Sequence, residues 1–220
     1  MRLAELSERS GVSTATIKYY LREGLLPPGE RLTATKAEYG EEHLRRLRLV
    51  RALIQVGRMP VATAREVLKA AEDESLSQHL RLGAAVWALP HDPEPRGGIE
   101  GAAGAPETVR AREEANALLD QLDWTHGRDT RDDSPAYRML VEAIASLARL
   151  GYPHDTGHLL PYARLASELA VHELDVVETY DTSSEQIEAS VALTVLYEPV
   201  LLSLRRLAQA QESARRFDQA

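Results

Sequence analysis

Ser13, Thr14, Thr16, Lys18, Tyr19 and Arg22 place four hydroxyls and two cations within ten residues. The apolar residues between them, Ile17, Tyr20 and Leu21, are spaced by three and four, the period of one buried helix face. On such a helix Thr14, Thr16, Lys18 and Arg22 turn outward, and Tyr19 is the more outward of the two tyrosines. Short hydroxyls donate to phosphate oxygens or touch thymine methyls, and cations neutralise phosphates. The chemistry this pattern offers is recognition of a polyanion rather than bond making. Arg31, Thr33, Lys36, Tyr39, Arg45, Arg46 and Arg58 extend the basic and hydroxyl-bearing set downstream.

Other chemistries lack their residues. The chain has no cysteine, which excludes disulfides, zinc fingers, iron–sulfur clusters and thiol nucleophiles. There is no G-x-S-x-G elbow, P-loop or G-x-G-x-x-G, so neither an enzyme nor a cofactor is expected. His154 and His158 flank Asp155, and His172-Glu173 follow, but Gly157 and Pro161 argue against a shared helical face. These histidines are expected at the surface or at helix starts, not on a metal.

The charge is divided. The protein is −8 overall, yet residues 1–71 hold 13 Lys+Arg against 8 Asp+Glu, leaving the acidic excess to the remainder. A basic head on an acidic body fits a nucleic-acid reader. With 220 residues, 44% hydrophobic and 27% charged, the composition is globular. Charges at Arg2 and Glu5 speak against a signal peptide, and Glu198 and Pro199 interrupt the most apolar stretch, Ala189 to Leu204. A soluble cytoplasmic protein without membrane contact is expected.

The elements that must position these residues are mainly helical. Helices are expected over Arg2–Ser10 and Ala15–Glu23, joined through Gly11 as a helix-turn-helix. A small hairpin follows over Glu30–Tyr39. An amphipathic helix spans Glu41–Val56 and ends at Gly57. Another runs from Pro60 at its first position to about Ala71. Glu72–Leu89 reads as a less regular helix, and Pro90–Pro106 as a linker. Later helices are expected at Glu107–Trp124, from Ser134-Pro135 to Gly151, at Pro161–Tyr180, and from Glu185 to about Phe217. Ser183 and Gln186 read as a capping box, and Pro199 as a kink. His126–Asp133 reads as a loop. The domains so drawn are 1–71, a connector 72–106, and a helical bundle 107–220.

The run from Leu6 through Gly11-Val12-Ser13, Thr16-Ile17-Lys18-Tyr19-Tyr20 and Gly24-Leu25-Leu26-Pro27-Pro28 resembles the start of MerR-family transcription regulators. Arg31, Tyr39, the His43-Leu44-x-x-Leu47 run and the helix ending at Gly57 match in order and spacing. The resemblance implies a winged helix-turn-helix, a homodimer on a pseudo-palindromic promoter, action through RNA polymerase, and control by a small-molecule effector. Lys18 stands where the family carries Arg, which keeps a phosphate contact and gives up the bidentate fork. The wing's usual Tyr-Arg pair is replaced by Lys36-Ala37 or Ala37-Glu38, and Tyr39 aligns with the later wing tyrosine.

Family members that sense soft metals use cysteine thiolates, which this chain lacks. Trp124, Tyr137, Tyr162, Tyr180 and Tyr197 are candidates to line an effector pocket between helices. The family's dimer helix is due near Glu72, where Gly83 and Pro90 curtail it. The final apolar helix is therefore expected to supply much of the dimer contact. The competing readings are a protein-interaction module, or a helical protein that processes a small molecule, with a vestigial winged head. The outward Lys18, Arg22 and Arg31 favour DNA.

Overall fold

The structure, a computed structural model, describes residues 1–33, 36–89, 106–130 and 133–217. Ten α-helices and one antiparallel hairpin are found among them. Helices α1 (Leu3–Ser10) and α2 (Thr14–Arg22) precede strands β1 (Glu30–Thr33) and β2 (Lys36–Glu38). The strands pair Glu30 with Glu38 and Arg31 with Ala37, with an irregularity before Thr33 pairs with Lys36. Next come α3 (Glu41–Arg51), continued as a π-helical turn over Ala52–Val56, α4 (Val61–Ala71) and α5 (Gln78–Trp87). The others are α6 (Pro106–Gln121), α7 (Thr125–Asp129), α8 (Pro135–Arg149), α9 (Thr156–Glu178) and α10 (Ser183–Phe217). This is the mainly helical, winged architecture expected from the pattern.

Several boundaries move for local reasons. Residues 72–77 form turns, and α5 starts only where the Ser77 hydroxyl accepts from the Leu80 N–H. Pro60 is extended and stands at the N-cap rather than inside α4. α7 occupies part of the expected loop after Trp124. α9 starts five residues before Pro161, because the Glu114 carboxylate accepts from both the Thr156 N–H and its hydroxyl. The α10 capping box lies one residue earlier than read. Thr182 Oγ1 accepts from the Glu185 N–H, and the Glu185 carboxylate accepts from the Thr182 N–H. α10 continues through Pro199. The Pro/Gly-rich linker, residues 90–105, lies outside the described residues.

The packing groups these elements differently from the linear division. One compact unit joins Met1–Leu89 to Val177–Ala220, and the other is Pro90–Val176. In the first unit, Leu6, Ile17, Tyr20, Leu25, Leu47, Val50, Leu53 and Leu68 form a core that Ile187, Val191 and Val195 of α10 complete. Gly57 is more than a helix stop here. A Cβ at that position would lie 2.8 Å from Val195 Cγ1. In the second unit, Ala111, Ala115 and Leu119 of α6 meet Tyr137, Val141, Ile144 and Ala145 of α8. The small α6 residues let the two helices approach closely.

Candidate nucleic-acid interface

Local chemistry builds the α1–turn–α2 hinge. Gly11 takes a left-handed conformation (φ 65°), which a side chain disfavours. The Ser7 hydroxyl donates to the Val12 carbonyl at 2.6 Å, and the Val12 N–H donates to Ser10 Oγ. Ser13 caps α2 by accepting from the Thr16 N–H at 3.1 Å, and the Ser13 and Thr16 hydroxyls pair at 2.8 Å. Ile17 and Tyr20 are buried. Thr14, Lys18 and Arg22 are exposed and follow one another at intervals of four along one face of α2. Tyr19 is half-buried beside them, with the Arg22 guanidinium 5.2 Å from its ring centroid. That contact presents the arginine and the phenol as one cationic, hydrogen-bonding edge.

Three arginines from α3 and α4 tie down the α1–turn–α2 unit. Arg51 Nη1 donates to the Ser10 carbonyl at the end of α1, at 2.9 Å. Arg65 Nε donates to the Glu23 carbonyl at the end of α2, at 2.7 Å, and its Nη2 reaches the Glu23 carboxylate. Arg46 Nε donates to the Leu25 carbonyl at 3.0 Å, and its Nη2 pairs with Glu72 at 2.8 Å. The Ser10 and Glu23 carbonyls stand at helix ends that leave them without an intrahelical partner, and the Leu25 carbonyl lies in the turn that follows α2. The sequence pattern singles out neither Arg51 nor Arg65. Their partners lie about forty residues away, so no local spacing announces them.

The other expected contact residues divide by environment. Arg31 is exposed on β1 and Arg58 is exposed at a positive φ of 51°. Thr33 and Lys36 stand at the inner ends of the strands, but their side chains lie outside the described residues. Tyr39 is turned into the core, its ring edge-on to His43 at 5.2 Å, because the backbone there is held by the chain start. The Tyr39 N–H donates to the Met1 carbonyl, and the Met1 ammonium donates to the Tyr39 carbonyl at 2.7 Å. Arg46 is 4% exposed, so its charge faces the interior. Arg45 pairs with Glu185 at 3.2 Å and lies 3.9 Å from Glu188, both on α10. Burial pushes the Glu188 carboxyl above its usual range against the pull of Arg46 and Arg45. Arg48 is exposed on α3.

The aromatic candidates for an effector pocket are split between the units. Tyr137 is a core residue whose hydroxyl donates to Asn116 Oδ1 at 2.9 Å. Trp124 precedes α7 and Tyr162 lies on α9, both exposed. Tyr180 and Tyr197 belong to the other unit. His158 Nδ1 lies 2.6 Å from Asp155 Oδ2 at the start of α9, and His154 Nδ1 meets the Tyr152 carbonyl. No group of three metal-ligating side chains occurs among the described residues.

Comparison with known proteins coincides with this geometry. Residues 1–71 match the model of the MerR helix-turn-helix family of regulatory proteins. Over 50 residues the chain is 38% identical to the HTH-type transcriptional regulator ZntR homolog of Haemophilus influenzae, covering 23% of this chain and 37% of that one. Over 57 residues it is 30% identical to the HTH-type transcriptional regulator AdhR of Bacillus subtilis, covering 26% and 41%. The chain thus spans about two fifths of the length of these curated relatives. A crystal structure of SCO5550 of Streptomyces coelicolor A3(2), assigned as a transcriptional regulator, matches with a TM-score of 0.84 at 54% identity, covering 99% of this chain and 98% of that one. Together with the capped α1–turn–α2 unit and its hairpin wing, these matches identify residues 1–71 as a helix-turn-helix domain of the MerR family of regulatory proteins.

Proposed function

We propose that the protein is a cytoplasmic, non-enzymatic transcription regulator that binds double-stranded DNA as a homodimer on an inverted repeat. The observation that carries this reading is the row Thr14, Lys18 and Arg22 on one exposed face of a capped second helix. α2 enters the major groove, where Thr14 and Thr16 reach base edges or phosphates and Lys18, Tyr19 and Arg22 contact the backbone. Ser13, Arg31, Thr33, Lys36 and Arg58 add contacts at the helix start, the wing and the turn after α3. Arg45, Arg46 and Tyr39, engaged within the protein, orient the head rather than touch DNA. RNA polymerase at the bound promoter and a small-molecule effector complete the reading.

The test is selection of bound genomic DNA by the purified protein, then a salt titration on the best fragment. Enrichment of an inverted repeat is expected, with affinity falling steeply as salt rises. Lys18→Ala is expected to weaken binding to all fragments alike and to reduce the logarithmic salt slope by about 1. Failure to enrich any DNA at low salt would reject the proposal.

A further inference from the structure

We infer that Glu23 sets the DNA affinity of α2: its carboxylate competes with DNA phosphate for Arg22, and Arg65 holds it in position to do so. The inference rests on the DNA-binding reading above and adds to it an acidic residue with a role of its own. Glu23 is the only acidic residue between Ser13 and Gly29. It stands at the C-cap of α2, where the carbonyl end of the helix dipole disfavours a negative charge. Two cations offset that, and the carboxylate oxygens are divided between them. Oε2 lies 3.1 Å from Arg65 Nη2, and Oε1 lies 3.6 Å from Arg22 Nε. Arg65 also donates through Nε to the Glu23 carbonyl, at 2.7 Å. It therefore grips the backbone and the side chain of one residue. A carboxylate serving only to tie α2 to α4 would turn both oxygens to Arg65. Here one is left for Arg22.

Arg22 is the looser partner. Its side chain is 71% exposed, against 42% for Arg65 and 29% for Glu23. At 3.6 Å the contact is an ion pair without a hydrogen bond, and exposed pairs of that kind are weak. Arg22 can leave it without unpacking a core. Lys18, the other cation on that face of α2, has no ion pair among the described residues. A phosphate arriving at the face meets Lys18 directly, and meets Arg22 only in exchange for Glu23. Released from Arg22, the carboxylate stays paired with Arg65, so the exchange leaves no bare charge beside the DNA. The consequence is a weaker grip on any phosphate backbone, whatever its sequence, which restrains binding to unselected DNA.

The test compares full-length variants on the enriched fragment and on a fragment of scrambled sequence, by anisotropy titration at several salt concentrations. Glu23→Gln keeps an amide oxygen for Arg65 and removes the charge. It is expected to bind both fragments about fivefold more tightly at low salt, with a logarithmic salt slope steeper by up to about 1. In an Arg22→Gln background the same substitution is expected to change affinity by less than about twofold. An equal gain without Arg22 makes Glu23 a source of general repulsion and overturns the proposal. So does a Glu23→Gln protein that is folded by circular dichroism and keeps wild-type affinity and slope. Arg65→Gln, which leaves Glu23 unaltered, is an independent arm. It gives the whole carboxylate to Arg22 and is expected to weaken binding about threefold. Adding Glu23→Gln is expected to reverse that loss, and a loss that persists overturns the proposal. A wild type that binds no DNA at low salt rejects the regulator reading and this inference together. A wild type that binds, with variants that match it, rejects this inference alone.

Discussion

Arg46 shows how one side chain changes meaning between sequence and structure. In the sequence it is one of several cations on a basic helix, indistinguishable from Arg48. Folded, it is buried, bonded to the Leu25 carbonyl and paired with Glu72, whereas Arg48 is exposed. Arg46→Ala should cost about 3 kcal/mol in urea denaturation, because it leaves the Leu25 carbonyl unpaired and opens a cavity under α2. Nearby Glu188 gives a pH signature. Burial raises its folded pKa above the usual 4.5, so the folded protein holds that proton more tightly than the unfolded chain. Its stabilising contribution is therefore complete below that usual value and is lost as pH rises through the raised one. The melting temperature of the wild type relative to Glu188→Gln should fall across this window. Glu41, held below its usual range by Arg9, has the opposite sign: its contribution is present above the usual value and lost on acidification.

At the scale of elements, the legible parts were those whose signals are local. The α1–turn–α2 unit follows from Gly11, the Ser13 cap and the Ile17/Tyr20 stripe, all within ten residues. The Ser134-Pro135 start of α8 is of the same kind, with the Ser134 hydroxyl accepting from the Tyr137 N–H. Elements fixed by distant partners were misplaced. The start of α9 depends on Glu114, whereas α5 is shorter than expected because of a local cap at Ser77 that the reading overlooked. The same division holds for the candidate interface. Exposure of Thr14, Lys18 and Arg22 follows from helical period, whereas the inward turn of Tyr39 depends on its pairing with Met1. The hinge itself is testable. Gly11→Ala should cost about 1 kcal/mol in a denaturant melt, since a side chain there must hold a positive φ. Ser13→Ala should cost a similar amount by removing the α2 cap.

At the scale of the molecule, the reading head is not complete in its own stretch of sequence. Ile187, Val191 and Val195 close a core built from residues before 90. A fragment of residues 1–89 should therefore melt well below the corresponding transition of the full chain, by calorimetry or circular dichroism. Adding a peptide spanning α10 should restore part of the difference. α10 is also long and apolar enough, by length and composition, to cross a membrane, but its first half is spent on this core. Sequence reading set the last helix in a separate bundle because nothing local links Val195 to Gly57; only the missing Cβ at Gly57 records the closeness.

The chain leaves the first unit at Leu89 and returns to it at Val177. The second unit is thus a parenthesis within the first rather than an appendage to it. Both of its ends join the body that holds the α1–turn–α2 unit. Lengthening a connection costs only logarithmically in closure entropy, so such an inserted segment can vary in size, or be exchanged for another, while the reading body keeps its core. A lineage could exchange the inserted segment without rebuilding the core of the first unit.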